Sequence, residues 1–154
     1  FTALDLALRS IPELAREGAS LLNPRALAKL VHGVKTFQDT HLGRASKYTS
    51  TQSWPITKLP DTIFRSRSPK GPLYTLLLTS YKVKKEHNWK AFDFVSMNRY
   101  NDNIMLLKHI ERNLIKDGWL CRPVCYFDDN VSKKKVEEYT KIITKFGGIV
   151  VDEY

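Results

Sequence analysis

The sequence holds only two cysteines, Cys121 and Cys125, and neither has a cysteine or histidine partner at the spacing of a zinc site. In one extended segment they would stand on the order of 13 Å apart, beyond the reach of a disulfide. They read as reduced thiols packed like small hydrophobes, in keeping with a cytosolic or nuclear setting. No run approaches the roughly 18 apolar residues of a membrane span, and no basic-then-apolar signal segment opens the chain. Glycine is sparse, with seven residues, and no glycine-rich phosphate loop or nucleophile motif occurs. The four histidines, His32, His41, His87 and His109, lack metal-ligand spacing. The expectation is therefore a protein that is not an enzyme, with no catalytic residues, cofactor, metal, membrane or small-molecule substrate.

Acidic residues are also few, 16 against 25 lysines and arginines in 154 residues, for a net charge of +9. That balance suits an acidic partner such as nucleic acid, although it serves solubility alone equally well. Hydrophobic content of 42% is enough for a real core in one domain or two small ones. The chain starts at Phe1 and closes on Tyr154 in an apolar run, and is expected to be a fragment of something longer.

What is present is organised around Arg99–Phe127. Asn101 or Asp102 is expected to cap a long helix there. Ile104, Leu107, Ile110 and Leu114 supply a buried stripe, widened by Leu106 and Ile115, while Lys108, Arg112 and Lys116 occupy another face. Gly118 is the expected stop and Pro123 opens the next strand. Upstream, Thr2 and Asp5 suggest a short capped helix carrying Leu4, Leu8 and Ile11. Asn23 as N-cap with Pro24 behind it starts a second helix, buried through Leu27, Leu30, Val31, Val34 and Phe37 and ended near Gly43. Residues 44–57 read as a surface connection anchored by Trp54. Pro72 begins a further helix with Leu73, Leu76, Leu77 and Tyr81 inward.

Past Gly118 the periodicity changes. VCYF reads as a strand, Asn130 or Ser132 starts a helix with Val136, Tyr139, Ile142, Ile143 and Phe146 inward, and Gly147-Gly148 leads into the strand IVV. This is the size of one right-handed βαβ crossover, and residues beyond Tyr154 are expected to complete its sheet. The fold class is α+β. Expected folding anchors are Leu76, Leu77, Leu107, Ile110, Leu114 and Trp119.

Two clusters bear on chemistry. Between Arg65 and Arg99 lie eight basic and two acidic residues; Arg65, Arg67, Lys70, Lys82, Lys84, Lys85 and Lys90 are candidate DNA contacts that would act by releasing counterions from phosphates. Trp89, Phe92 and Phe94 interleave with them, either to stack on bases or to fill the core, and AFDF has a strand-like alternation. No hairpin signal for a winged-helix wing is present. The second cluster, Asp128-Asp129 after an apolar strand, matches how receiver domains hold magnesium. Its simpler reading is a turn that favours the positive end of the following helix.

TKLP, the GPL that opens a helix, YKVKKEHNWKAFDF, the N-x-x-M-L-x-x-I-E-x-x-L-I pattern of the central helix, RPVCYF, and the K-x-x-I-x-K-x-x-G-x-x-x-D-E ending carry a resemblance. From Thr57 to Tyr154 the chain resembles the N-terminal region of the SMARCC family, the scaffold subunits of SWI/SNF-type (BAF) chromatin-remodelling complexes; LVHGVKTFQDTHLGR from Leu30 to Arg44 is similar too. The resemblance implies a MarR-like, winged-helix-type helical domain over residues 1–118. Residues 119–154 would be the first strand, helix and strand of a BRCT-like domain, with the chromo-like and later portions outside the chain. It implies a nuclear, non-catalytic scaffold module in transcription regulation, docking other subunits of the complex and touching DNA or nucleosomes weakly and non-specifically. A DNA-binding winged-helix-type domain and a receiver-like phospho-acceptor fragment are the alternatives. Phosphopeptide-binding BRCT domains carry a small hydroxyl residue and a glycine near the turn where this chain has Asp128 and Asp129, so phosphopeptide capture is not expected.

Overall fold

The computed structural model describes residues 1–12, 23–43 and 57–152. Five helices form a body: α1 (Thr2–Arg9), α2 (Pro24–His41), α3 (Asp61–Arg65), α4 (Pro72–Glu86) and α5 (Tyr100–Lys116). Then come β1 (Val124–Tyr126), α6 (Lys133–Lys145) and β2 (Ile149–Val151). The protein is α+β, mostly helical with one small sheet.

In space the organising element is α4. Leu73, Leu76, Leu77, Tyr81 and Val83 are buried on it together with Thr75, Thr79, Ser80 and Lys84, so it is covered on nearly every side, as a central helix must be. It packs against α5, α3, α1 and α2. Its polar side chains are satisfied where they are buried. Ser80 Oγ donates to the Leu76 carbonyl (2.8 Å), Thr75 Oγ1 donates to Asp117 Oδ2 (2.7 Å), and Asn113 Nδ2 donates to Thr79 Oγ1 (2.9 Å). The last two tie α4 to the far end of α5 through groups that would be costly to bury unpaired.

The expected stripes lie where periodicity put them. Leu27, Leu30, Val34 and Phe37 of α2 and Ile104, Leu106, Leu107, Ile110 and Leu114 of α5 are buried. Asn23 caps α2, its Oδ1 accepting from the Ala26 N–H at 2.8 Å, and Pro24 occupies the first turn. Gly118 has φ +76°, the left-handed value that ends α5 without a Cβ clash.

Several expectations are corrected. Neither Asn101 nor Asp102 caps α5, whose N-cap is Arg99 after a 3₁₀ turn (Met97–Arg99); Asp102 instead pairs with Arg99 at 3.0 Å. Thr2 lies inside α1, which has no side-chain cap; Asp5 is bound by Arg9 Nε at 3.1 Å one turn on. AFDF is no strand: Asp93 Oδ1 accepts the N–H groups of Val95 and Ser96, both at 3.0 Å, and that local turn displaces an extended conformation. Trp119 is 47% exposed and not an anchor; past Gly118 it is Leu120, half-buried, that packs on the core. Cys121 is exposed rather than packed. Trp54 lies outside the described residues.

One fastening has no counterpart in the hydrophobic pattern. Gln38, buried on α2, donates through Nε2 to the Leu59 carbonyl (3.2 Å) and accepts the Leu59 N–H on Oε1 (3.0 Å), pairing with an extended backbone as a neighbouring strand would. Lys58–Asp39 and Lys35–Asp61 ion pairs flank it at 3.0 and 2.9 Å. Short α3 follows directly, with Ile63 buried.

The β1 and β2 strands are parallel, with Val124 facing Ile149, Cys125 facing Val150 and Tyr126 facing Val151. The α6 crossover matches its expected limits, with Ser132 at the N-cap and Gly147 at φ +78° after its end. Its apolar face does not match expectation. No residue of α6 is buried; Val136 and Ile143 are half-buried, and Tyr139, Ile142 and Phe146 are exposed. A two-stranded layer offers too little area to cover it.

Candidate functional site

The basic run between Arg65 and Arg99 is contiguous in sequence and divided in space. Arg65, Arg67 and Lys70 precede α4, whereas Lys82, Lys84, Lys85 and Lys90 lie in and beyond its last turns. At about 1.5 Å of rise per residue the two groups stand roughly 20 Å apart at opposite ends of one helix. Arg67, Lys70, Lys82, Lys85 and Lys90 are exposed, and Arg65 is exposed beside Asp61 at 3.8 Å. Lys84 departs from this set. It is only 6% exposed, its stem packed into the body, with Nζ 6.0 Å from the centre of the Phe92 ring.

The interleaved aromatics are core-facing. Phe92 meets Tyr81 edge-on at 5.5 Å and Trp89 edge-on at 6.4 Å, and lies stacked with Phe94 at 6.3 Å and 9°. Phe94 rests on Gly33 so closely that a Cβ there would fall 2.3 Å from Phe94 Cδ2. The outer side of Trp89 carries the Arg99 guanidinium, 4.6 Å from the ring centre. Asp93 fixes this loop. Hydrogen bonds from the Ser96 side chain, then from the backbone N–H groups of Ser96 and Val95, hold its carboxyl down at about 2. The Asn103 amide donates to its carbonyl at 2.8 Å.

Between this loop and the helices lies a cleft of about 270 Å³. One wall is the Ala26, Lys29 and Leu30 stripe of α2; a second is Tyr81 and Lys84, three apart on α4. Lys90, Ala91 and the Phe92–Phe94 pair form the third. Lys29, Ala26 and Ala91 were not singled out from the sequence. Their i, i+3, i+4 relation puts Ala26, Lys29 and Leu30 on one face of α2, but nothing in the sequence says that the aromatic loop lies opposite it.

A second cleft, of about 200 Å³, separates the body from the β unit, with Lys108, Glu111 and Ile115 on one side and Arg122, Pro123 and Phe146 on the other. Burial pushes the Glu111 carboxyl up, opposed by the nearby Arg122 and Lys108 charges.

The remaining candidates stay apart. His41 packs on Phe37 (4.7 Å) and Tyr100 (5.5 Å) at the end of α2, His87 lies by Trp89 (5.9 Å), His32 lies nine residues before His41 on α2, and His109 belongs to α5. Asp128 accepts the Asn130 N–H at 2.9 Å and the Asn130 side-chain amide, so one of its oxygens is engaged in the turn. Among the described residues no group of three potential metal ligands comes together.

The helical body from α2 to the end of α5 coincides with a known family. The model of the SWIRM-associated domain at the N-terminal matches residues 18–120, two thirds of the chain. This domain is found in subunits of SWI/SNF-type, nuclear chromatin-associated complexes. The chain belongs to the family of the SWIRM-associated domain at the N-terminal.

Proposed function

We propose that this chain is a non-catalytic docking module of a scaffold subunit in a nuclear SWI/SNF-type (BAF) remodelling complex. On this reading the body over residues 1–118 is its MarR-like part and residues 119–154 begin its BRCT-like part. The match of residues 18–120 to the SWIRM-associated domain carries the reading. The apolar side chains left uncovered on the β unit, among them Val124, Ile142 and Phe146, agree with a protein that works in contact with others. The test is affinity purification of the tagged chain from nuclear extract with quantitation of remodelling-complex subunits. Enrichment of those subunits over an unrelated basic domain of similar charge is expected; equal recovery by both removes the reading.

A second reading, a DNA-binding winged-helix-type domain, is favoured by the exposure of Arg67, Lys70, Lys82 and Lys90, which form no ion pairs among the described residues. Duplex titration at two salt concentrations discriminates. Binding that falls steeply with salt and is lost on reversing Lys82, Lys85 and Lys90 supports it. The division of the cluster between two ends of α4 limits the number of phosphates met at once, so the expected salt slope is that of a few contacts.

A further inference from the structure

The geometry points to the cleft between α2, α4 and the Trp89–Phe94 loop as a binding site for a short acidic peptide segment of a partner protein, with an apolar side chain as its anchor. The inference deepens the docking reading and rests on it. Three features of the cleft converge on that ligand.

The first is charge. Lys29, Lys84 and Lys90 line the cleft, and among the described residues no acidic one does. None of the three forms an ion pair with the described residues. A carboxylate arriving at this rim gains three ammonium neighbours, and a cationic ligand such as a methylated lysine is repelled by the same groups. Lys84 adds position to charge. Its buried stem fixes the ammonium against Phe92 rather than leaving it free in solvent, so less rotamer entropy is lost when an anion is held.

The second is the floor. Leu30, Tyr81, Phe92 and Phe94 make it apolar, and Ala26 and Ala91 hold it open where larger residues would fill it. A volume of about 270 Å³ takes one leucine- or phenylalanine-sized side chain with its flanking backbone, not a folded domain.

The third separates peptide from nucleic acid. Single strands bind by stacking bases on open ring faces. Here Phe92 and Phe94 lie parallel to each other, Phe94 is seated on Gly33, and Tyr81 and Trp89 stand perpendicular to Phe92. Each ring is already engaged with another ring or with the backbone, and what opens between them is an apolar slot lined with ammonium groups.

The test is selection of a random peptide display library on the whole chain, on Lys29→Glu/Lys90→Glu and on Ala91→Trp, each first shown by circular dichroism to melt like the parent. Lys84 is left intact because it is buried. The expected result is enrichment of sequences with aspartate or glutamate next to a large apolar residue on the parent chain. Synthetic peptides from that pool should bind each variant roughly tenfold more weakly or worse, since one variant reverses the rim charge and the other fills the slot. A parent pool without acidic enrichment overturns the inference, as does equal binding to parent and both variants. A random single-stranded oligonucleotide that displaces the selected peptides and is itself lost with Ala91→Trp assigns the cleft to nucleic acid and overturns it too. Recovery of remodelling-complex subunits by the parent and both variants alike removes the cleft while leaving the docking reading in place; failure of the parent to recover them removes that reading.

Discussion

The helical body and the β1–α6–β2 unit are built from helices of similar amphipathic pattern and end in opposite states. Leu107, Ile110 and Leu114 of α5 are sealed under α4, whereas Tyr139 and Ile142 of α6 and Phe146 just past its end recur with comparable spacing and stay in contact with solvent. The periodicity of a sequence identifies the apolar side of a helix but carries no information on how much surface waits opposite it. In the body four other helices converge on α4. In the β unit two strands of three residues are the only layer present among the described residues.

The contrast is broken or sharpened by substitution. Leu107→Ala, which empties a fully packed site, is expected to destabilise the protein by about 2–5 kcal/mol in urea titration. No shift in the midpoint would show that the body is not close-packed. Gln38→Ala leaves the buried N–H and C=O of Leu59 without partners and is expected to lose about 1–3 kcal/mol, with Gln38→Glu also destabilising because a carboxylate has no donor for the Leu59 carbonyl. Acid affects the body through Asp93. Its folded pKa of about 2 lies below the unfolded value near 3.8, so its contribution is fully present above the unfolded value and is lost as pH falls through about 2. The melting-temperature gap between the parent and Asp93→Ala should therefore be constant at pH 5 to 7 and close progressively between about pH 4 and 2. The smallest effect belongs to the β unit. Ile142→Ala, at an exposed position, should change stability by no more than about 0.5 kcal/mol. A loss as large as that of Leu107→Ala would mean that the α6 face is covered in solution.

Much of this architecture was legible from local signals. Asn23-Pro24, Gly118 and Gly147 mark helix limits through groups that act within one turn, and the stripes of α2, α4 and α5 follow from spacing alone. The misses share a physical cause. Asp93 and Gln38 are polar side chains that take over backbone hydrogen bonds, one turning AFDF away from a strand and the other clasping Leu59; periodicity does not register either. Trp119 and the α6 face were misjudged because burial depends on neighbours distant in sequence. The seven basic candidates were read as one patch, yet α4 inserts its own length between them and folds Lys84 inward. The cleft was invisible since Ala26, Lys29 and Ala91 carry no motif and meet only through the packing of α2 on the aromatic loop.

The Gln38–Leu59 pairing, with Lys58–Asp39 and Lys35–Asp61 beside it, joins the chain on either side of residues 44–56. The two flanks are thereby held to each other through described residues alone. A peptide bond cleaved between 44 and 56 would leave α2 and the start of α3 fastened to one another through these four contacts, a built-in splint across the break.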